Sequence, residues 1–218
     1  MKVFEKSFFN YLENNAQKDI ANKYSQYGEK EKYLMSNFGR EYFDTDLGYN
    51  GYYYDGRHEI GVKDMIAYYK LLPGQKVLDV GCAKGFFVYE FYKKGFNVSG
   101  CDISSYAISN CKEELKPYLR QMGAEILDYD DNEFELIMSF SVLHNLEGQN
   151  LEKALRHIKR CSTNYVYIEV ASYTNKFEYK ILKQRGITVK TFYSPDEWLS
   201  LFGKVDLDCD VFFKTFKS

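Results

Sequence analysis

No run of this chain approaches the roughly 18 to 20 apolar residues that a membrane-spanning helix needs. Met1 to Asn10 also lacks the charged, apolar and cleavage regions of a secretory leader. A cytoplasmic protein without a membrane span is therefore expected. Runs of lysine and arginine are missing too, and the formal net charge is −2. The electrostatic footprint of a nucleic-acid binder is thus absent, which leaves a small-molecule or glycan substrate as the better expectation. The five cysteines, Cys82, Cys101, Cys111, Cys161 and Cys209, are odd in number and show no short paired spacing. That excludes a disulfide framework and a zinc-type metal site as first readings, and buried thiols are expected. Nothing in the sequence sets the oligomeric state; a monomer and a homodimer are both open.

What is present is 218 residues with 45% hydrophobic content, enough for one well-buried core. The chain is 18% aromatic and carries 21 tyrosines, several packed together at Tyr49, Tyr52, Tyr53 and Tyr54. Such a patch is either a wet aromatic surface or the wall of a ligand site.

Between Phe4 and about Ser36, polar sequence with recurrent aromatics (Phe8, Tyr11, Leu12, Ile20, Tyr24, Tyr27) predicts one or two amphipathic helices. Asn37 to Gly56 is punctuated by Gly48, Asn50, Gly51 and Gly56 as a structured loop is. A further helix is expected over Glu59 to Leu72, stopped by Pro73-Gly74. Short apolar runs then follow at Val77 to Val80, Val98 to Ile103, Glu135 to Phe140 and Tyr165 to Val170. Helical segments separate them at Phe86 to Lys94, Ser104 to Lys116 and Asn150 to Cys161. Strands alternating with helices at this spacing predict βαβ units and a mostly parallel, doubly wound sheet of the α/β class. Ser194-Pro195 predicts a helix start, and Val205 to Phe216 a strand or hairpin. Trp198 is expected to pack that terminal helix on the sheet.

The informative segment is Asp79-Val80-Gly81-Cys82-Ala83-Lys84-Gly85, a buried strand running into a glycine turn and then a helix. Gly81 and Gly85 remove side chains where a ligand can approach the backbone, and the helix start offers free N–H groups. The spacing is wrong for the Gly-x-Gly-x-x-Gly of a nicotinamide dinucleotide fold. A second strand ends in Asp102-Ile103, with its acid 23 residues after Asp79. A carboxylate there can accept both hydroxyls of a ribose. The third segment is Gly123-Ala124-Glu125, and the fourth Ser139-Phe140-Ser141-Val142-Leu143-His144-Asn145.

In order and placement these segments resemble the motifs of the class I S-adenosylmethionine-dependent methyltransferases. Ala83 stands in place of the middle glycine of Asp/Glu-x-Gly-x-Gly-x-Gly, and the turn is similar to a variant among glycan and natural-product methyltransferases. The resemblance covers Gln75 to about Ser172. It implies a Rossmann-like catalytic domain over residues 59–218, with S-adenosylmethionine as cofactor, preceded by a helical, tyrosine-rich cap and lid over 1–58. It implies cofactor contacts from Asp79, Gly81, Cys82, Ala83, Gly85, Asp102, Ile103, Ala124, Glu125, Ser139 and Phe140, with Gly123 where an acid is usual. Arg57 is expected on the methionine carboxylate. Tyr42, Tyr53, Tyr54, His58 and Glu169 are candidates for substrate contact. His144 is the candidate general base, because an imidazole titrating near pH 6.5 can take a proton from an attacking hydroxyl. His157 and Lys84 are assigned no chemical role. The expected reaction is methyl transfer to a hydroxyl or amine of a small molecule, with a sugar, glycan or secondary metabolite as the expected acceptor. An RNA or protein methyltransferase, a non-catalytic S-adenosylmethionine-binding module and a nicotinamide oxidoreductase are the rivals.

Overall fold

In the computed structural model of the chain, residues 1–8, 24 and 26–215 are described. Strand β1 is Val3–Phe4. Helices α1 (Glu29–Ser36) and α2 (Arg40–Asp44) and a loop follow, then α3 (His58–Tyr69), β2 (Lys76–Val80), α4 (Phe86–Lys93), β3 (Asn97–Asp102) and α5 (Ser105–Ser109). The second half holds β4 (Leu119–Gln121), β5 (Phe134–Phe140), α6 (Gly148–Cys161), β6 (Ser162–Ala171), α7 (Lys176–Arg185), α8 (Pro195–Lys204) and β7 (Asp210–Lys214).

The strands form one sheet in the order β1-β7-β6-β5-β2-β3-β4, and every described pair of neighbours is parallel. The fold is the expected Rossmann-like α/β architecture. From β2 the chain winds outward through β3 to β4, then returns to β5 and winds the other way. Its direction therefore reverses between β2 and β5, and a crevice opens beyond the carboxyl ends of strands at such a point.

Side chains alternate across the sheet as a two-residue period requires. Leu78, Val80 and Ile137 pack with α6 and α8, whereas Val77, Leu136 and Met138 pack with α3 and α4. Helix α6 presents Leu151, Ala154, Leu155, Ile158 and Cys161 as one buried stripe. Helix α8 begins at Ser194, whose hydroxyl accepts the Glu197 N–H in a complete capping box with Pro195 at the first position.

Two local expectations change. Val3–Phe4 is an edge strand on β7 rather than the start of a helix, because Phe4 docks edge-on against Tyr68 and Tyr167. Of the predicted N-terminal helices, the described residues hold Glu29–Ser36; Tyr11, Leu12 and Ile20 lie outside them. The helix expected over Ser104 to Lys116 stops at Ser109. The chain then turns inward so that Leu115 and Leu119 fill the space left beside Gly85 and Gly100.

Trp198 anchors the C-terminal helix: it is fully buried, lies over Phe202 and donates its indole N–H to the Ala171 carbonyl at 3.2 Å. Trp198→Ala is expected to cost about 3–5 kcal/mol of folding stability, from lost burial and the cavity left behind. Denaturant unfolding with an unchanged slope would measure it.

Candidate functional site

Two cavities open at the carboxyl edge of the sheet, and Gly81, Phe140, Ser141, Tyr49 and Tyr52 line both. The first, about 210 Å³, lies over the ends of β2, β3 and β5 between Asp102, Ile103, Met122 and the Gly123-Ala124-Glu125 turn. The second, about 480 Å³, is bounded by Asp79, Cys82, His58, Phe86, Phe87, Glu169 and Lys214. Tyr49 and Tyr52 belong to the loop before α3, so the aromatic patch of the sequence forms part of a wall.

The glycine turn is held in shape from several sides. Ala83 adopts a left-handed backbone (φ +50°), an uncommon conformation for a residue with a side chain, and its N–H donates to Asp102 Oδ2 at 2.8 Å. Asp102 Oδ1 accepts the Ser104 N–H, also at 2.8 Å. Burial pushes the Asp102 carboxyl above its usual range, and these two amides partly offset the shift. Ser141 is a second left-handed residue (φ +58°) at the junction of the cavities. Backbone strain of this kind concentrates where a site dictates geometry.

A methyl carbon on Gly81 would lie 2.0 Å from Val142 Cγ2, so the turn touches the loop after β5 directly. Gly85 is different. It lines neither cavity, and a side chain there would meet Leu119 Cδ1 at 2.7 Å. The glycine serves core packing and a positive φ (+76°) rather than the approach of a ligand.

The polar atoms of the first cavity are mostly acceptors. Glu125 Oε2 and Asn145 Oδ1 are buried without a hydrogen-bond partner among the described residues, and the Asp102 carboxylate retains lone pairs beyond its two amides. Gly123 explains the Glu125 position: a side chain on Gly123 would sit 2.7 Å from both Glu125 carboxylate oxygens. The carboxylate thus fills the space of the missing side chain. In the second cavity no hydrogen bond to the Asp79 carboxylate is made among the described residues. Burial, with the Asp102 charge nearby, pushes its carboxyl up to about 8.

Glu169, at the end of β6, accepts hydroxyl bonds from Ser141 (2.9 Å) and Ser7, with Lys214 Nζ 4.0 Å away. His58 is buried against the edges of Phe86 and Phe87, and burial pushes its imidazole down to about 4. Tyr53 is exposed at the mouth of this cavity, whereas Tyr42 lies on the wall of the first.

Besides Gly85, three candidates lie away from both cavities, and a fourth, Arg57, only reaches a rim. His144 lines neither cavity; its Nδ1 accepts the Ala171 N–H at 3.0 Å and its carbonyl accepts from Lys190 and Thr191. Burial pushes this imidazole down to about 3, so it is a neutral tie between β6 and the loop after β5, not a base in the cleft. Its neighbour Asn145 faces the cavity instead. Tyr54 points to α4, donating to Glu90 and accepting from Lys93 at 2.9 Å. Ser139 donates to the Val80 carbonyl at 3.0 Å and sews β5 to β2. Arg57 reaches the rim of the second cavity with its guanidinium paired to Asp55.

Known proteins bear on this geometry. The profile of the "Methyltransferase domain" family matches residues 78–165, a span that holds the carboxyl ends of β2, β3, β4 and β5 at the crevice. The chain carries a methyltransferase domain over these residues. As in that family, S-adenosylmethionine is its cofactor.

The chain is 26% identical over 151 residues to a sterol 24-C-methyltransferase of Gibberella zeae, covering 65% of this chain and 36% of that protein. It is 30% identical over 89 residues to an uncharacterized methyltransferase of a Synechocystis species, covering 40% of this chain and 42% of that one. The chain thus spans about two fifths of the length of these curated relatives. Among solved structures, an S-adenosylmethionine-dependent methyltransferase from Archaeoglobus fulgidus superposes with a TM-score of 0.56 at 19% identity, covering 67% of this chain and 66% of that one. A methyltransferase from Bacillus halodurans gives 0.56 at 14% identity, with 66% and 67% covered. Both share the fold. No helix among the described residues is long and apolar enough to cross a membrane.

Proposed function

We propose that this methyltransferase transfers a methyl group to a hydroxyl or amine of a small molecule, a sugar, glycan or secondary metabolite, bound in the second cavity. The carrying observation is that an acceptor-lined cavity and a larger aromatic one meet at a shared wall of Tyr49, Tyr52, Phe140 and Ser141. The donor set suits the cofactor. Asp102 would take the ribose hydroxyls, the Ala124 backbone and Glu125 the adenine edge, and Asp79 the methionine ammonium. When bound, S-adenosylmethionine supplies a methyl group on a positively charged sulfur.

The chain's own contribution is position and exclusion of water. Aromatic faces from Tyr52 and Phe140 surround the junction, where cation–π attraction of ~0.5 to 2 kcal/mol favours a positive centre. Glu169, fixed by Ser141, can accept a hydrogen bond from the O–H or N–H of the acceptor and so aim its lone pair. The same wall of aromatic rings with a few fixed polar groups suits the face of a sugar or a fused-ring metabolite. Residues 38–52 serve as the cover, with Tyr42 and Tyr49 closing the first cavity.

The test is incubation with S-adenosylmethionine and a panel of sugars, aryl hydroxyls, amines and a sterol, the last included because of the Gibberella relative. A mass gain of one methylene on an acceptor, with S-adenosylhomocysteine formed in equal amount, supports the proposal. Tight cofactor binding without turnover on any class would favour the non-catalytic module.

The adenine contact makes a separate prediction. Glu125→Ala is expected to weaken S-adenosylhomocysteine binding about tenfold, the worth of one hydrogen bond to a charged group. Adding Gly123→Asp to that variant should recover most of the loss, because the new carboxylate enters the space that Glu125 vacates. Equal affinities across the three proteins, measured by calorimetry, would place the adenine edge elsewhere.

A further inference from the structure

We propose that Asp44 is a positioning residue that sets the tyrosine cover over the cofactor cavity by clamping it to Lys84 of the glycine turn. The proposal rests on the reading of that cavity as the cofactor site.

One carboxylate at the end of α2 gathers four hydrogen bonds from three parts of the chain. Lys84 Nζ donates to both Asp44 oxygens at 2.7 Å, Tyr106 of α5 donates its hydroxyl to Oδ2 at 2.7 Å, and the Tyr52 N–H donates to Oδ1 at 3.0 Å. The Tyr52 ring stacks on Phe86 at 4.9 Å with its plane tilted by 14°, and it lines both cavities. Fixing the Tyr52 amide therefore fixes the wall at which cofactor and acceptor would meet.

Lys84 explains why the clamp must close. Its side chain is only 9% exposed, and Asp44 is its one carboxylate partner among the described residues. It also stands just before α4, whose first turn contains no acid. An ammonium held largely out of water is costly until an anion joins it. The cover supplies that anion. A partly buried pair of this kind is less screened by salt than the surface pairs elsewhere on the protein. Burial alone would raise the Asp44 carboxyl, but the donors from Lys84, Tyr106 and Tyr52 outweigh it and hold the group below its usual range.

The experiment is calorimetric titration of the full chain with S-adenosylhomocysteine, for the parent and for Asp44→Ala, Asp44→Asn and the Asp44→Ala/Lys84→Met double variant. Thermal midpoints without ligand and hydrogen exchange across residues 45–53 accompany it. Asp44→Ala is expected to lose about tenfold in affinity and the amide protection of residues 45–53, while the sheet keeps its protection. Asp44→Asn, which keeps one acceptor, should fall between alanine and the parent. The double variant has no orphaned charge and should regain its thermal midpoint but not its affinity, because the Tyr52 amide and Tyr106 hydroxyl still lack their acceptor.

Affinity that returns together with the midpoint in the double variant would reduce Asp44 to a structural ion pair and overturn the proposal. So would parent-like binding by Asp44→Ala. A parent that binds no S-adenosylhomocysteine would instead bring down the cofactor reading, and the clamp with it.

Discussion

Asp102→Ala is expected to weaken S-adenosylmethionine binding by roughly 10² to 10⁴-fold. Two charge-assisted hydrogen bonds to ribose hydroxyls, each worth about 1.5 to 3 kcal/mol, would be lost at once. The structure adds a second consequence. The same carboxylate accepts the amides of Ala83 and Ser104, so its removal also releases a left-handed turn and lowers folding stability by about 1–3 kcal/mol. Asp102→Asn separates the two effects, since its carbonyl oxygen can keep one amide while the charge is gone. Cofactor titration at a temperature well below either unfolding midpoint reads the affinity alone. Unchanged affinity in the folded alanine variant would mean that the ribose does not lie on this strand end.

Asp79 carries the second large effect, and its sign changes between folding and binding. Its carboxyl lies at about 8 in the folded protein, against an ordinary value near 3.8. Between those values the unfolded chain binds fewer protons than the folded one. Stability is therefore lost as pH rises, at up to roughly 1.4 kcal/mol per unit, and levels off above about 8. Asp79→Asn removes this loss, so the variant should unfold at a higher temperature than the parent at pH 8, with the gap closing towards pH 4.

Binding runs the other way. A positively charged ligand group beside Asp79 favours the carboxylate, so cofactor affinity should climb with pH towards 8, by up to about tenfold per unit, with release of a proton. The asparagine variant should bind more weakly and show no proton release. Calorimetry in two buffers of different ionisation enthalpy measures that proton directly. An Asp79→Asn protein that binds as the parent does and releases the same fraction of a proton would assign the titration to another group.

The sequence by itself determined the order of β2, β3, β5 and β6 and that helices lie between them, because each of those apolar runs is a local property of the chain; the three-residue strand β4 (Leu119–Gln121) is too short to leave such a run. It also determined which segments meet at the crevice: residues at the carboxyl ends of parallel strands converge once the winding is known, and Gly81, Asp102, Glu125 and Glu169 all lie there. The helix start at Ser194-Pro195 was legible for the same local reason.

Side-chain direction in irregular backbone was not legible. Leu143, His144 and Asn145 form a single turn, and only the packing of that turn on β6 sends the histidine inward and the asparagine to the cavity. Among adjacent tyrosines, the left-handed Asn50 and Gly51 rotate the loop so that Tyr52 joins the wall while Tyr54 turns away to Glu90. Gly81 and Gly85 look alike in the sequence, yet one borders the crevice and the other a leucine pair that arrives from Leu115 and Leu119. The edge strand Val3–Phe4 and the pairing of Asp44 with Lys84 join residues far apart in the chain. Neither leaves a local pattern, because a partner 40 residues away is chosen by the shape of the folded chain and not by its neighbours in sequence.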